Sequence, residues 1–238
     1  MIVHPSRTAS PAPRRRTLLA GALVLPLGLG LAACGSSTAT RAEDADAGEP
    51  ALPQGVAADQ PYIQFGDGGT GDTIIDVYLD FLCPYCKKFS EANGADLAEL
   101  STREDTTVRL HLRPMLDRAT SPTGYSGRSA NAALAVYDEE PTRYWAMESA
   151  LYDAQPAEDS AGLDDARLIE LAHGAGATAA VDQHITGGTF IPYVEKVVEP
   201  EARAKDYGTP VVEIDGTEVT EADLYVAGGL LQAVEAAR

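Results

Sequence analysis

The 238-residue sequence predicts an α/β fold: a mixed β-sheet flanked by helices, with a helical block inserted into it. Three observations carry that reading. Two β-branched runs, 73–81 and 107–113, enclose a segment of helical period. The stretch from Pro114 to Phe190 is helical in spacing throughout. After Gly208 come a strand, a turn, a short partner strand and a last amphipathic segment. Strands that alternate with helices in this order form a sheet covered by helices.

The start of the chain does not read as fold. Residues 1–16 carry Arg7, Arg14, Arg15 and Arg16 and no acid, and 17–33 (TLLAGALVLPLGLGLAA) carry no charge. A basic stretch followed by an apolar one is the layout of an export signal. Pro26 and three glycines interrupt the apolar run, so a cleaved signal peptide (1–33) is expected and not a permanent membrane span. Leu31-Ala32-Ala33-Cys34 resembles the lipobox of bacterial lipoproteins, which implies a lipid on the Cys34 thiol. Arg15-Arg16-Thr17-Leu18-Leu19 also resembles a twin-arginine export signal.

Charge excludes some partners. The chain has 18 basic and 36 acidic side chains; without residues 1–33 it keeps 14 basic against the same 36 acidic, a net of −22. Such a surface repels nucleic acid and anionic headgroups. Residues 34–60 are mostly Ser, Thr, Ala, Gly, Pro and acids, with little to bury and no aromatic residue, the composition of a flexible tether. The remainder, 61–238, is long enough for one domain with a substantial core.

Within that domain Tyr62–Phe65 reads as a short edge strand, followed by a glycine-rich turn. Thr73–Phe81 reads as a central strand with Val77, Leu79 and Phe81 on one face and Asp76, Tyr78 and Asp80 on the other. From Pro84 to Leu100 the period becomes helical, and Pro84 suits a first helical position. Thr107–Arg113 alternates again, with Arg109, His111 and Arg113 facing away from Val108, Leu110 and Leu112. Helices are expected over 125–137, 141–153, 163–173, 177–185 and 190–205, with the insertion spanning about 114–189. Gly208–Gly216 (GTPVVEIDG) reads as turn, strand, turn, and Thr217–Val219 as a short partner strand. Thr220 is expected to cap a final helix, with Asp223 three residues on and Leu224, Ala227, Leu231 and Val234 as its apolar stripe.

Chemistry concentrates in Cys83-Pro84-Tyr85-Cys86. With Cys34 lipidated, these are the two remaining thiols. A redox pair needs one thiol that ionises easily and a second close enough to close a disulfide. Cys83 at a helix N-cap meets the first need, because free N–H groups and the helix dipole stabilise a thiolate; Cys86, a turn further in, meets the second. A zinc site and a plain structural disulfide are the competing readings. Zinc wants four ligands, and His111, His173 and His184 lie far apart in sequence, so no metal and no cofactor is expected. A four-residue disulfide loop at a helix start is an unusual structural staple.

The strand, the run Asp80-Phe81-Leu82-Cys83-Pro84-Tyr85-Cys86-Lys87-Lys88-Phe89 and the later Gly208-Thr209-Pro210 together resemble the DsbA-like branch of the thioredoxin superfamily over residues 61–238. The resemblance implies a thioredoxin-like sheet with a helical insertion, Cys83 as nucleophile and Cys86 as resolving thiol. It implies Pro84 and Tyr85 as the active-site loop, and Thr209 with a cis Pro210 as the substrate-binding loop. Members often carry a buried acid six residues before the first cysteine, but Val77 stands there and Asp76 points to the opposite face, so Asp76 is not counted as catalytic. The proton of Cys86 must then use water or another group. The implied function is a membrane-tethered thiol:disulfide oxidoreductase on the outer face of the cytoplasmic membrane. It would form disulfides in exported proteins and be reoxidised by a membrane redox partner. A reductase fed by a membrane electron donor and a non-catalytic peptide-binding lipoprotein are the alternatives. Trp145, the single tryptophan, is read as core.

Overall fold

The computed structural model describes residues 49–120, 123–220 and 223–238. The expected signal peptide and Cys34 lie outside the described residues. Five strands, β1 (Ile63–Phe65), β2 (Thr73–Leu79), β3 (Thr106–Leu112), β4 (Val211–Ile214) and β5 (Thr217–Glu218), form one sheet in the order β1-β3-β2-β4-β5. β2 and β3 are parallel; the other pairs are antiparallel, which makes the sheet mixed as expected. A parallel pair needs a long crossover, and α1 (Pro84–Leu100) supplies it.

Register divides the sheet into two chemically different faces. Val77 pairs with Leu110 on one side and Val212 on the other, so these residues share a face with Ile75, Leu79, Val108, Leu112 and Ile214. All of them are buried in the apolar core. The opposite face carries Asp76, Tyr78, His111 and Glu213, and it is buried too. Its polar groups are matched by α7 (Glu199–Ala204) and the residues just after it. Lys205 Nζ donates to Tyr78 Oη at 2.7 Å and to Glu213 at 2.8 Å, and His111 Nε2 sits 3.0 Å from Asp76. His111 also stacks on Tyr78 at 3.9 Å, so it is a packed structural histidine.

The inserted block holds α2 (Tyr125–Glu139), α3 (Tyr144–Asp153), α4 (Asp165–Gly174) and α5 (Asp182–Gly187). α2 is its axis: nearly every residue from Tyr125 to Tyr137 is buried, and its alanines let α3, α4 and α5 close on it. Asn131 ties the block together, donating to His184 O at 3.0 Å and accepting from Phe190 N at 2.8 Å. The helix expected over 190–205 is present as α6 (Ile191–Tyr193), a widened π turn (Val194–Val198) and α7. Trp145 packs on Phe65 and Tyr144, with ring centroids 4.9 and 5.3 Å away, and not on the cysteine pair.

Two expectations change. The tether was expected to run to residue 60, yet Val56 belongs to the core and Gln54 bonds across to Tyr137 and Asp138. One valine and one leucine among small residues suffice to dock this stretch, because the groove they fill is built from distant parts of the chain. The last helix, α8 (Gly229–Ala237), begins nine residues after Thr220. Gly228 adopts a left-handed φ of 78°, and a Cβ on Gly229 would overlap the Asp223 carbonyl, so the chain turns tightly before the helix starts. Buried Asn93 of α1 sets that start: its side chain accepts from Leu230 N at 3.0 Å and donates to Leu224 O at 2.7 Å.

Candidate active site

β2 ends at Leu79, and the chain turns through Asp80-Phe81-Leu82 into α1. Asp80 builds that turn. One carboxylate oxygen accepts from Leu82 N at 2.8 Å, and the other accepts from Leu116 N at 2.8 Å. Its side chain is fully buried, and burial raises its pKa to about 7. The strand alternation that would have kept Asp80 with Asp76 stops one residue before it.

Cys83 occupies the N-cap of α1, and Pro84 takes the first helical position. Its extended backbone (φ −69°, ψ 120°) aims the thiol at the helix start. Tyr85 is 57% exposed beside it, whereas Cys86, one turn in, is fully buried. Both cysteines are free thiols. The Cys83 pKa is lowered to about 6, first by the Cys86 thiol as hydrogen-bond donor, then by the Thr209 side chain and the N–H groups of Cys86 and Tyr85, against the opposing effect of burial. Cys86 is pushed well above the usual thiol range by burial and by the neighbouring Cys83. One sulfur is thus prepared as a thiolate and the other is held protonated.

The loop before β4 faces the pair. The Thr209–Pro210 peptide bond is cis, and the Thr209 carbonyl accepts from Cys83 Sγ at 3.3 Å. Arg113, at the end of β3 and only 2% exposed, holds this loop. Its guanidinium donates to Tyr207 O and, at 3.0 Å, to Gly208 O, and it is anchored by Glu199 at 2.9 Å. Gln155, just past α3, donates to Phe81 O at 2.9 Å and Cys83 O at 3.1 Å, which fixes the active-site turn from the helical block. Sequence reasoning missed Arg113 and Gln155 as positioning residues. In sequence Arg113 is one of three polar residues on the outward face of a strand, and Gln155 belongs to no pattern; their burial and partners appear only in the folded chain.

The structure brings Cys83, Pro84, Tyr85, Cys86, Thr209 and Pro210 together. Asp76 lies on the other face, paired with His111. No group of His, Cys, Asp and Glu among the described residues is arranged to hold a metal ion.

A dithiol at a helix N-terminus, faced by a proline loop and roofed by an inserted helical block, is the architecture of a DsbA-like thiol-disulfide oxidoreductase. A family model described as Thioredoxin matches residues 64–227, and the chain belongs to that family. The structure is similar to reduced DsbA from Mycobacterium tuberculosis, with 28% identity and a TM-score of 0.62 over 74% of this chain and 91% of that one. It is similar to reduced DsbG from the same organism, with 29% identity and a TM-score of 0.62 over 75% and 88% of the two chains. MdbA, a thiol-disulfide oxidoreductase from Actinomyces oris, shares the fold at 18% identity and a TM-score of 0.64 over 75% and 89%. Among curated sequences, the serine/threonine-protein kinase PknE of Mycobacterium tuberculosis is 30% identical over 128 residues, 52% of this chain. The chain spans about a quarter (23%) of the length of that relative.

Proposed function

We propose that the protein introduces disulfides into exported proteins, from a lipid-anchored position on the outer face of the cytoplasmic membrane. The observation that carries the direction is the asymmetry of the pair. A Cys83 thiolate stabilised at the helix start favours the reduced enzyme, and a stable reduced form makes the disulfide a strong oxidant. A client thiolate attacks Cys83 Sγ; the client–Cys83 bond forms as the Cys83–Cys86 bond breaks, and Cys86 leaves with the electron pair. A second client thiolate then attacks the client sulfur of the mixed disulfide, and Cys83 departs as a thiolate. The client has lost two electrons, and the enzyme, reduced, must be reoxidised by a membrane partner.

Exposed Tyr85 and Tyr225, with ring centroids 6.0 Å apart, supply an apolar surface beside the dithiol for an unfolded peptide. Such a client would add as a strand along the Thr209 backbone. The anchor rests on the sequence around Cys34. A Cys34→Ala variant is expected to move from the membrane fraction to the soluble one.

The equilibrium reduction potential of the Cys83–Cys86 pair tests the direction. A value near about −120 mV supports disulfide donation, and one near about −270 mV supports a reductase. A Cys83→Ser variant that still exchanged disulfides as well as wild type would remove the catalytic reading altogether.

A further inference from the structure

Cys86 has to accept a proton each time it leaves the disulfide and surrender it each time the disulfide reforms. The position six residues before Cys83 holds Val77, fully buried in the apolar core, so no acid reaches the thiol from there. Asp80 is close in sequence, but both of its oxygens already accept main-chain N–H groups of the active-site turn.

Another acid is available in α3. Tyr144, Glu148 and Tyr152 are spaced four residues apart and so form one stripe along that helix. Their exposures are 0%, 2% and 2%. α3 packs on α1, where Cys86 and Ser90 are likewise four residues apart. The C-terminal end of α3 lies against the active-site turn: the Tyr152 ring packs on Phe81 with centroids 5.2 Å apart, and Gln155, three residues on, donates to Cys83 O at 3.1 Å. Cys86 and Glu148 are both close enough to the Tyr152 phenol to act on it electrostatically. Ser90 of α1 is near enough to the Glu148 carboxyl to lower its pKa, short of a hydrogen bond of normal geometry.

The stripe is polar where packing alone would be satisfied by Leu and Phe. Both Glu148 oxygens and the hydroxyls of Tyr144 and Tyr152 have no hydrogen-bond partner among the described residues. Buried polar atoms are normally paired, so a carboxyl with both oxygens free is equipped to take and release a proton without breaking a structural bond. Among the described residues no cation acts on it. The buried residues of α2 and of α4 include no charged group; Ser90 from α1 and the two tyrosines of α3 are the polar side chains around it.

We propose that Glu148 is the proton reservoir of the resolving thiol, exchanging its proton with Cys86 through the Tyr152 hydroxyl. The inference rests on the oxidoreductase reading above. When the Cys83–Cys86 bond breaks under attack by an external thiolate, the electron pair goes to the Cys86 sulfur. Tyr152 gives that sulfur a proton and takes one from the Glu148 carboxyl, which becomes a carboxylate. Reoxidation runs the same transfers backwards. Glu148 does not touch the reacting sulfurs and is a positioning residue for the proton.

The test is single-turnover reduction of the oxidised full chain by glutathione from pH 5 to 9, corrected for glutathione thiolate and read by mass after a maleimide quench. Glu148→Gln is expected to be reduced at least about tenfold more slowly below neutrality, toward the ~10²-fold that a positioned acid contributes. It is also expected to lose a wild-type inflection near pH 7. Glu148→Asp should keep the inflection, and Tyr152→Phe should slow reduction like Glu148→Gln. Alkylation of reduced Glu148→Gln at Cys83 with a midpoint still near 6 establishes that the site is folded. Wild-type rates and profile in both Glu148→Gln and Tyr152→Phe overturn the proposal and leave the oxidoreductase reading intact. A wild-type protein that does not exchange with glutathione at any pH overturns both.

Discussion

The sulfur of Cys83 lies 3.3 Å from the main-chain carbonyl of Thr209. As a thiol it donates to that oxygen; as a thiolate it turns to the Cys86 S–H and the free amides of the helix start. The two states therefore use different partners, and the thiolate's partners are the stronger. The rate of iodoacetamide alkylation of reduced protein is expected to rise with pH around a midpoint near 6. In Cys86→Ala the midpoint moves up, because the largest stabilising partner is gone. An unchanged midpoint in that variant would assign the ionisation to the helix start alone.

The same ionisation fixes how stability of the reduced protein depends on pH. The folded pKa of Cys83, about 6, lies below the ordinary value of 9.0. The thiolate's contribution is therefore complete above pH 9 and is lost as pH falls through about 6. Urea titrations of reduced wild type and Cys83→Ala at pH 5, 7 and 8 should diverge as pH rises, by at most about 1.4 kcal/mol per pH unit. Parallel curves would contradict the assignment.

Glu148 carries the opposite sign. Burial raises its pKa from 4.5 to about 7, so the folded state holds a proton that the unfolded state has released. That costs stability increasingly as pH rises from about 4.5 to about 7, and the cost vanishes below 4.5. Glu148→Gln is expected to gain stability relative to wild type across that window, measured as the change in urea midpoint. A loss of stability that is the same at every pH would mean the carboxyl is a packing group.

Arg113 and Glu199 form a pair in which both side chains are largely buried, with Arg113 also holding two carbonyls of the substrate loop. Arg113→Met leaves the buried Glu199 carboxylate with only the exposed Arg203, at 2.7 Å, as a charged partner, so the variant should cost up to about 3 kcal/mol in urea unfolding. Arg113→Met with Glu199→Leu should recover much of that stability. It should not recover the rate of exchange with a peptide disulfide, because the carbonyls of Tyr207 and Gly208 still lack their donor. Full recovery of the rate would make Arg113 a stability residue only.

Much of this site was legible in the linear chain. Two thiols separated by Pro-Tyr at a strand–helix junction are a local pattern, and a helix N-terminus is formed by neighbours in sequence. The strands were legible for the same reason, since alternation in 73–79 and 106–112 separates an apolar face from a polar one, although both are buried. What failed was non-local. The final helix was misplaced because its start is set by Asn93, more than 130 residues earlier, and by the close approach of Gly229 to Asp223. Residues 52–60 were read as tether because the groove that receives Val56 does not exist until the domain has closed.

The sequence by itself determined the dithiol, its place at a helix start, the mixed sheet and the inserted helical block, all of which follow from spacing and periodicity along a short stretch of chain. Tertiary structure alone decided which groups act on those thiols. It brought the Thr209 carbonyl to Cys83, placed the Arg113 guanidinium under the substrate loop, committed Asp80 to the turn and left the Glu148 oxygens free inside the packed helices. The physical reason is that a thiol's pKa and a carboxyl's proton depend on burial and on partners within a few ångströms, and those partners come from strands and helices far apart in the chain.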